Sequence, residues 1–320
     1  MKTFDVIVIG GGHAGCEAAH AAARLGCKTA MVVTSIETIA RMSCNPAIGG
    51  PGKSQIVREI DALGGLMARI IDISGLQYRT LNAGKGPAVQ ANRAQADTEV
   101  YERNMRSALE ETPNLEIIEG SVAAIDVKNG SVTGVILEGG EKEGAEKLSA
   151  ETIIVTTGTF LNGLLHFGMR KVEGGRFGEP PSTKLSDSLK QLGFTLGRLK
   201  TGTPPRLDRD TIDYSVLEEQ PGDDPPAPFS FFTDKIDRPH IPCHITWTNE
   251  KTHEIIRASF DRSPLYTGEI QGVGPRYCPS IEDKVVRFPE RNQHHIFLEP
   301  VSQNSPMVYP NGISTSLPED

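Results

Sequence analysis

The sequence predicts an α/β fold: a parallel-sheet domain opened by a strand–helix–strand unit and interrupted by a second domain of strands and loops. Three observations carry this. "FDVIVIG" (4–10), "HAGCEAAHAAARLG" (13–26) and "KTAMVVT" (28–34) alternate strand, helix and strand, the order that opens a parallel sheet. "ETIIVTTGTF" (151–160) returns an apolar strand to that sheet and reaches Gly158. From about residue 161 proline becomes more frequent and helical periodicity fades, which marks a change of domain.

In chain order, the first strand is a short apolar run, and the alanine-rich helix after it stops at Gly26. Glycine-rich loops fill 41–90, with a helix expected at 54–63. "AQADTEVYERNMRSALEE" (94–111) reads as one long amphipathic helix. "LEIIEGSVAAIDVKNGSVTGVILEGG" (115–140) alternates like an antiparallel meander that turns at Asn129-Gly130. In the second domain, "QPGDDPPAPFSFF" (220–232) is a proline-rich loop, and a helix is expected at 183–192, capped by Ser182 and stopped by Gly193. The expected division is 1–160 for the first domain, 161–300 for an inserted, mainly strand-and-loop domain, and 301–320 for a segment leading back to the first.

A chain of 320 residues is long enough to bury a substantial core. Its five cysteines (Cys16, Cys27, Cys44, Cys243, Cys278) are far apart, odd in number and without a CxxC pair, which disfavours a disulfide framework, a zinc site or a dithiol redox centre. Met1 leads after three residues into the first strand, and no run of 18 uncharged apolar residues follows. The reading therefore expects no signal peptide, no membrane association and a cytoplasmic location. A net charge of −8 argues against a uniformly basic, nucleic-acid-coated surface. Between Arg170 and Arg209, however, nine Lys/Arg face four Asp/Glu, so an anionic polymer is permitted as a partner at that segment.

"GGGHAG" places Gly10, Gly12 and Gly15 directly after a strand and directly before a helix. The first glycine allows the tight turn, the second lets a pyrophosphate approach the backbone, and the third lets helix and strand pack closely. This is the dinucleotide-binding turn of a Rossmann-like domain. The acid that ordinarily closes on the ribose at the end of the second strand is replaced by Thr34 and Ser35, with Glu37 slightly late, so hydroxyls or backbone are expected there.

Two thiols stand in irregular, polar loops. Cys44 lies in "RMSCNPAIGGPGK" (41–53) and Cys278 in "GVGPRYCPSIEDK" (272–284), where Arg276 and Lys284 are near in sequence. Nearby cations favour a thiolate. Cys16 and Cys27 sit on or beside the alanine-rich helix and read as packing residues.

The blocks "GGGHAGCEAA", "SCNPAIGGPGK", "DALGGLM", "GKGPAVQANRAQAD", "GTFLNG", "RLKTGTPPR", "TNEKTHEIIR", "DRSPLYTGEIQGVGPRYCPSIEDKVVRF", "NQHHIFLEP" and "YPNGISTSLP" span almost the whole chain. With them it resembles the glucose-inhibited division protein A family, also called MnmG. That resemblance implies a flavoprotein which, with the GTPase MnmE, installs an aminomethyl or carboxymethylaminomethyl group on C5 of the wobble uridine (U34) of certain tRNAs. It implies FAD bound at Gly10, Gly11, Gly12, His13, Ala14 and Gly15, with further contacts at Val122 and Ser182. It also implies a nicotinamide-binding stretch formed by Gly274, Pro275, Arg276, Tyr277, Cys278, Pro279, Ser280, Ile281, Glu282, Asp283, Lys284, Val285, Val286, Arg287 and Phe288. Cys44 and Cys278 match the family's two functional cysteines, and the segment with Arg198, Lys200 and Arg206 resembles its tRNA-facing surface. A homodimer is expected on the same ground. Family members are about twice as long, returning to the flavin domain beyond "TSLP" and adding a helical domain, so either a fragment or an incomplete reading frame is expected.

The chemistry so implied forms a carbon–carbon bond at C5 of a pyrimidine. A thiolate adding to C6 makes C5 nucleophilic, which assigns Cys278 as nucleophile and Cys44 as a proton-transfer partner or second thiol near the flavin. Methylenetetrahydrofolate is the expected one-carbon donor and NADH the reductant, with the redox step carried by FAD. The rival readings are a folate- and flavin-dependent methyltransferase acting on tRNA uridine 54 and a non-catalytic module that binds nucleotide or tRNA.

Overall fold

The structure, a computed structural model, describes residues 2–139, 146–158, 161–175, 181–238, 240–272 and 279–320. Strand β1 (Val6–Ile9) is buried on both faces, as a central parallel strand must be. Helix α1 (His13–Arg24) follows, and Gly26 at φ +92° ends it in the left-handed conformation that glycine tolerates. Strand β2 (Thr29–Val33) then runs parallel to β1, Val6 opposite Thr29.

The chain next makes an excursion: β3 (Ala47–Gly49), α2 (Ser54–Ala62), α3 (Met67–Ser74), β4 (Gly75–Leu81) and β5 (Ala91–Ala96). The three strands form an antiparallel sheet in the order β3-β5-β4. Helix α4 (Thr98–Glu110) begins four residues later than the sequence reading expects, because Asp97 accepts a hydrogen bond from Val100 N and sets the start. Residues 91–96 before it pair with β4. Tyr101, Met105 and Leu109, spaced by four, are fully buried.

Strand β6 (Leu115–Glu119) pairs parallel with β2 rather than opening a meander. A short apolar run fits either arrangement; the α4 crossover decides it. The hairpin of β7 (Val122–Lys128) and β8 (Ser131–Leu137) turns at Asn129 and Gly130, both at positive φ, and β9 (Lys147–Ser149) joins its edge. Strand β10 (Thr152–Val155) returns parallel to β1, completing the order β10-β1-β2-β6. The architecture is the predicted α/β, Rossmann-like one. Alternate residues divide the sheet's two faces. Val6, Val8, Met31 and Val33 pack on α1 and α4, while Ile7, Ile9, Ala30 and Val32 share a core with Val122, Val135, Leu137 and Leu148.

Beyond the hairpin β11 (Leu164–Phe167) and β12 (Arg170–Glu173), helix α5 (Lys184–Gln191) sends Leu185 and Leu189 into that second core. Expected within the inserted domain, α5 is thus packed against the first one. Its N-cap is Thr183, not Ser182, and no side chain caps it. The strands β13 (Leu207–Asp208), β14 (Glu218–Gln220) and β15 (Cys243–Trp247) precede helices α6 (Glu250–Ala258) and α7 (Ile281–Arg287). Then come β16 (His295–Pro300) and β17 (Met307–Asn311). These five strands form an antiparallel sheet in the order β13-β17-β16-β15-β14. Strand β17, in the segment expected to lead back to the first domain, therefore lies inside the second sheet, held by pairing with β16.

Candidate active site

The ends of β1 and β10 and the start of α1 converge on the glycine turn. Gly10 has φ +110°, and a Cβ there would strike the Thr156 carbonyl; a Cβ on Gly15 would strike the Gly10 carbonyl. Both positions are closed to any side chain. Gly12, exposed at the N-cap of α1, has nothing within 4 Å of a notional Cβ, and no side chain caps the helix. The turn thus leaves open space in front of first-turn N–H groups, the arrangement that accepts a phosphate. The residues present fit a dinucleotide.

Gly11 is half-buried and Ala14 exposed on this turn. His13 lies edge-on to Tyr101, ring centroids 5.6 Å apart, and its Nδ1 is buried without a partner. Burial lowers its pKa to about 4, so the ring is neutral at physiological pH. Glu37, the late acid, is largely exposed and ion-paired with Arg106 at 2.7 Å. A carboxylate reaches the end of β2 from β6: Glu119 stands opposite Val33 and accepts a hydrogen bond from Ile36 N at 2.9 Å. Val122 is 4% exposed in the core, so only its backbone is available to a ligand. Ser182 accepts a hydrogen bond from Asn162 N at 2.7 Å, through its carbonyl.

The loop carrying Cys44 hangs from the same turn. Ala40 N donates to Gly11 O at 2.7 Å, and four residues of chain, at most about 14 Å, separate Ala40 from Cys44. Cys44 is exposed, in contrast to Cys16 and Cys243, whose thiols burial pushes up to about 12. Its Sγ lies 3.3 Å from the hydroxyl of Tyr309 on β17. Arg206 donates to the Cys44 carbonyl at 3.0 Å and places its guanidinium 4.6 Å from the centre of the Tyr309 ring. Beside it, Arg93 on β5 donates to Asn45 Oδ1 at 3.2 Å and to Glu299 Oε1 at 2.8 Å, and Asn311 donates to the same oxygen at 3.0 Å. Burial raises the pKa of Glu299. Sequence reasoning singled out Cys44 and Arg206 but missed Tyr309, Arg93 and Glu299. No local pattern joins residues up to 265 positions apart.

Cys278 lies outside the described residues, as do Gly274, Pro275, Arg276 and Tyr277. The rest of the expected nicotinamide stretch is α7 and its flanks. Pro279 precedes Ser280, whose hydroxyl caps the helix at Asp283 N, 3.3 Å. Ile281 and Val285 are buried against Ile256, and Glu282 accepts from Thr315 Oγ1 at 2.9 Å and Ser316 N at 3.0 Å. Asp283 pairs with Lys200 at 3.4 Å, and Lys284 donates to Gly312 O at 2.7 Å. Val286, Arg287 and Phe288 face outward. Lys200 is thus turned to α7 and Arg206 to the Cys44 loop, while Arg198 remains exposed. A separate cavity of about 220 Å³ on the five-stranded sheet, lined by Arg209, Tyr214, His244 and Gln303 among others, includes none of the expected site residues. No helix among the described residues is long and apolar enough to cross a membrane.

Comparison with known proteins agrees with this fold. A curated relative from Geobacter sulfurreducens, a tRNA uridine 5-carboxymethylaminomethyl modification enzyme MnmG, is 57% identical over 319 residues, 100% of this chain and 50% of the relative. One of the same name from Thermodesulfovibrio yellowstonii is 58% identical over the same spans. The chain spans about half the length of the curated relatives it matches. The crystal structure of Aquifex aeolicus GidA (form I) superposes with a TM-score of 0.92 at 53% identity, covering 99% of this chain and 53% of that one. The family model described as glucose inhibited division protein A matches residues 5–320, and the chain belongs to that family.

Proposed function

We propose that this chain is the dinucleotide- and uridine-handling part of a cytoplasmic enzyme that modifies C5 of the tRNA wobble uridine. The group added is carboxymethylaminomethyl or aminomethyl. The observation that carries the reading is the bond from Ala40 to Gly11, which ties the exposed Cys44 thiol to the dinucleotide turn. The substrate class comes from the relatives named tRNA uridine 5-carboxymethylaminomethyl modification enzymes.

In this reading the N–H groups of the Gly10–Gly15 turn hold the pyrophosphate of FAD, and neutral His13 adds no charge beside it. Bound FAD supplies the redox exchange with NADH that the one-carbon unit of methylenetetrahydrofolate requires. The chain's own thiols act on the base: Cys278 adds through sulfur to C6 of the uracil, which makes C5 the nucleophile. Cys44 takes up the proton that must leave C5 before Cys278 is expelled. The base is turned out of the anticodon stack to meet them. The MnmE GTPase and a second copy of this chain complete the working assembly.

Two measurements test this. The purified chain is expected to take up FAD and show the yellow flavin spectrum; a colourless protein overturns the flavin site. Cells whose full-length protein carries Cys278→Ser are expected to lose the modified nucleoside at tRNA position 34 by mass spectrometry. Its persistence overturns the nucleophile, and a loss confined to position 54 marks the methyltransferase instead.

A further inference from the structure

The strongest unassigned arrangement is the one around Cys44. Cross-strand pairing puts Glu299 of β16 opposite Tyr309 of β17, and Asn311, two residues on, shares their face. This face meets the loop of the first domain at two points. Glu299, through Arg93, holds Asn45; Tyr309 meets the sulfur of Cys44. The Tyr309 ring is 3% exposed, and the Arg206 guanidinium lies on its face while also gripping the Cys44 carbonyl. The phenol is therefore held by its strand, by burial and by a cation.

We propose that Tyr309, braced by Arg206, is a positioning residue that sets the aim and the protonation of the Cys44 thiol. When Cys44 is a thiolate, the phenol O–H donates to sulfur. When it is a thiol, S–H can donate to the phenol oxygen, so the same contact serves both states, which differ by the one proton on sulfur. Donation to the charged form favours it. Among the described residues, the charged groups facing the pair include Arg206, on the ring and the carbonyl, and the Arg93–Glu299 pair one residue away at Asn45. The inference rests on the reading of Cys44 as a proton-handling thiol.

The test is the pH dependence of iodoacetamide labelling, read by mass spectrometry on the Cys44 peptide so that the other cysteines do not contribute. Losing one hydrogen bond to the thiolate is expected to move the midpoint up by about half to one pH unit in Tyr309→Phe, with labelling near neutral pH about three- to tenfold slower. Arg206→Gln, which keeps the phenol but removes its cation, is expected to shift it the same way. An unchanged midpoint in Tyr309→Phe, in protein whose melting temperature matches the parent's, overturns the proposal. If that melting temperature falls, Arg206→Gln decides, and an unchanged midpoint there overturns it too. A shifted midpoint with intact wobble-uridine modification keeps the Tyr309–Cys44 pair and overturns only the catalytic reading of Cys44.

Discussion

At Gly15 a methyl group would occupy the space of the Gly10 carbonyl, whereas at Gly12 it would meet nothing within 4 Å. The two substitutions should therefore separate folding from binding. Gly15→Ala must push α1 away from β1 and is expected to cost about 1–3 kcal/mol, read as a lower denaturation midpoint. Gly12→Ala should leave that midpoint nearly unchanged yet weaken FAD uptake, because the methyl fills the approach to the first-turn N–H groups. Equal FAD affinity in Gly12→Ala and the parent would sink the assignment of that space. His13 makes a pH prediction. Its pKa falls from 6.5 in the unfolded chain to about 4 in the fold, so below about pH 6.5 the unfolded chain binds a proton that the native state does not. Its share of stability is complete above that pH and is lost as pH falls toward 4. His20, His166 and His294, also lowered chiefly by burial, act in the same direction. His13→Gln should reduce, and not abolish, the fall in urea midpoint between pH 7 and pH 5.

Among elements, α2 and α3 hold the proline-rich loop by two buried carboxylates. Asp72 accepts from Phe229 N at 2.8 Å and Ser230 N at 2.9 Å, and Asp61 accepts from Phe231 N at 2.7 Å and Ser230 Oγ at 2.8 Å. The loop then presents Phe231 and Phe232 to solvent, each with an arginine, Arg58 and Arg69, 4.3 Å from its ring centre. Asp72→Ala strips two buried N–H groups of their acceptor and should destabilise by about 2–4 kcal/mol. It should also open 221–238 to limited proteolysis; resistance equal to the parent's would show that the loop is held otherwise. The pattern of the chain foretold α1, α2, β1, β2 and the Asn129-Gly130 hairpin, because local rules of period, glycine stop and turn chemistry govern them. It misplaced the start of α4, the partner of β6 and the packing of α5. Those depend on one cap, on a crossover and on which core receives Leu185 and Leu189.

Over the whole molecule, the partly buried pair of Arg93 and Glu299 and the contact of Arg206 with Cys44 join the α/β domain to the five-stranded sheet. The candidate site lies where they meet. Sequence alone determined the parallel α/β domain and its tight glycine turn, since Gly10, Gly12 and Gly15 act through backbone geometry that is local to six residues. Sequence also singled out Cys44, as a thiol in a polar glycine-rich loop. Only the tertiary structure decided what surrounds that thiol. Tyr309, Arg206, Arg93 and Glu299 come from strands and loops distant along the chain. They are brought together by the pairing of β16 with β17 and the docking of that sheet on the first domain, and side-chain contacts made across such a seam leave no period or motif in the sequence to be read.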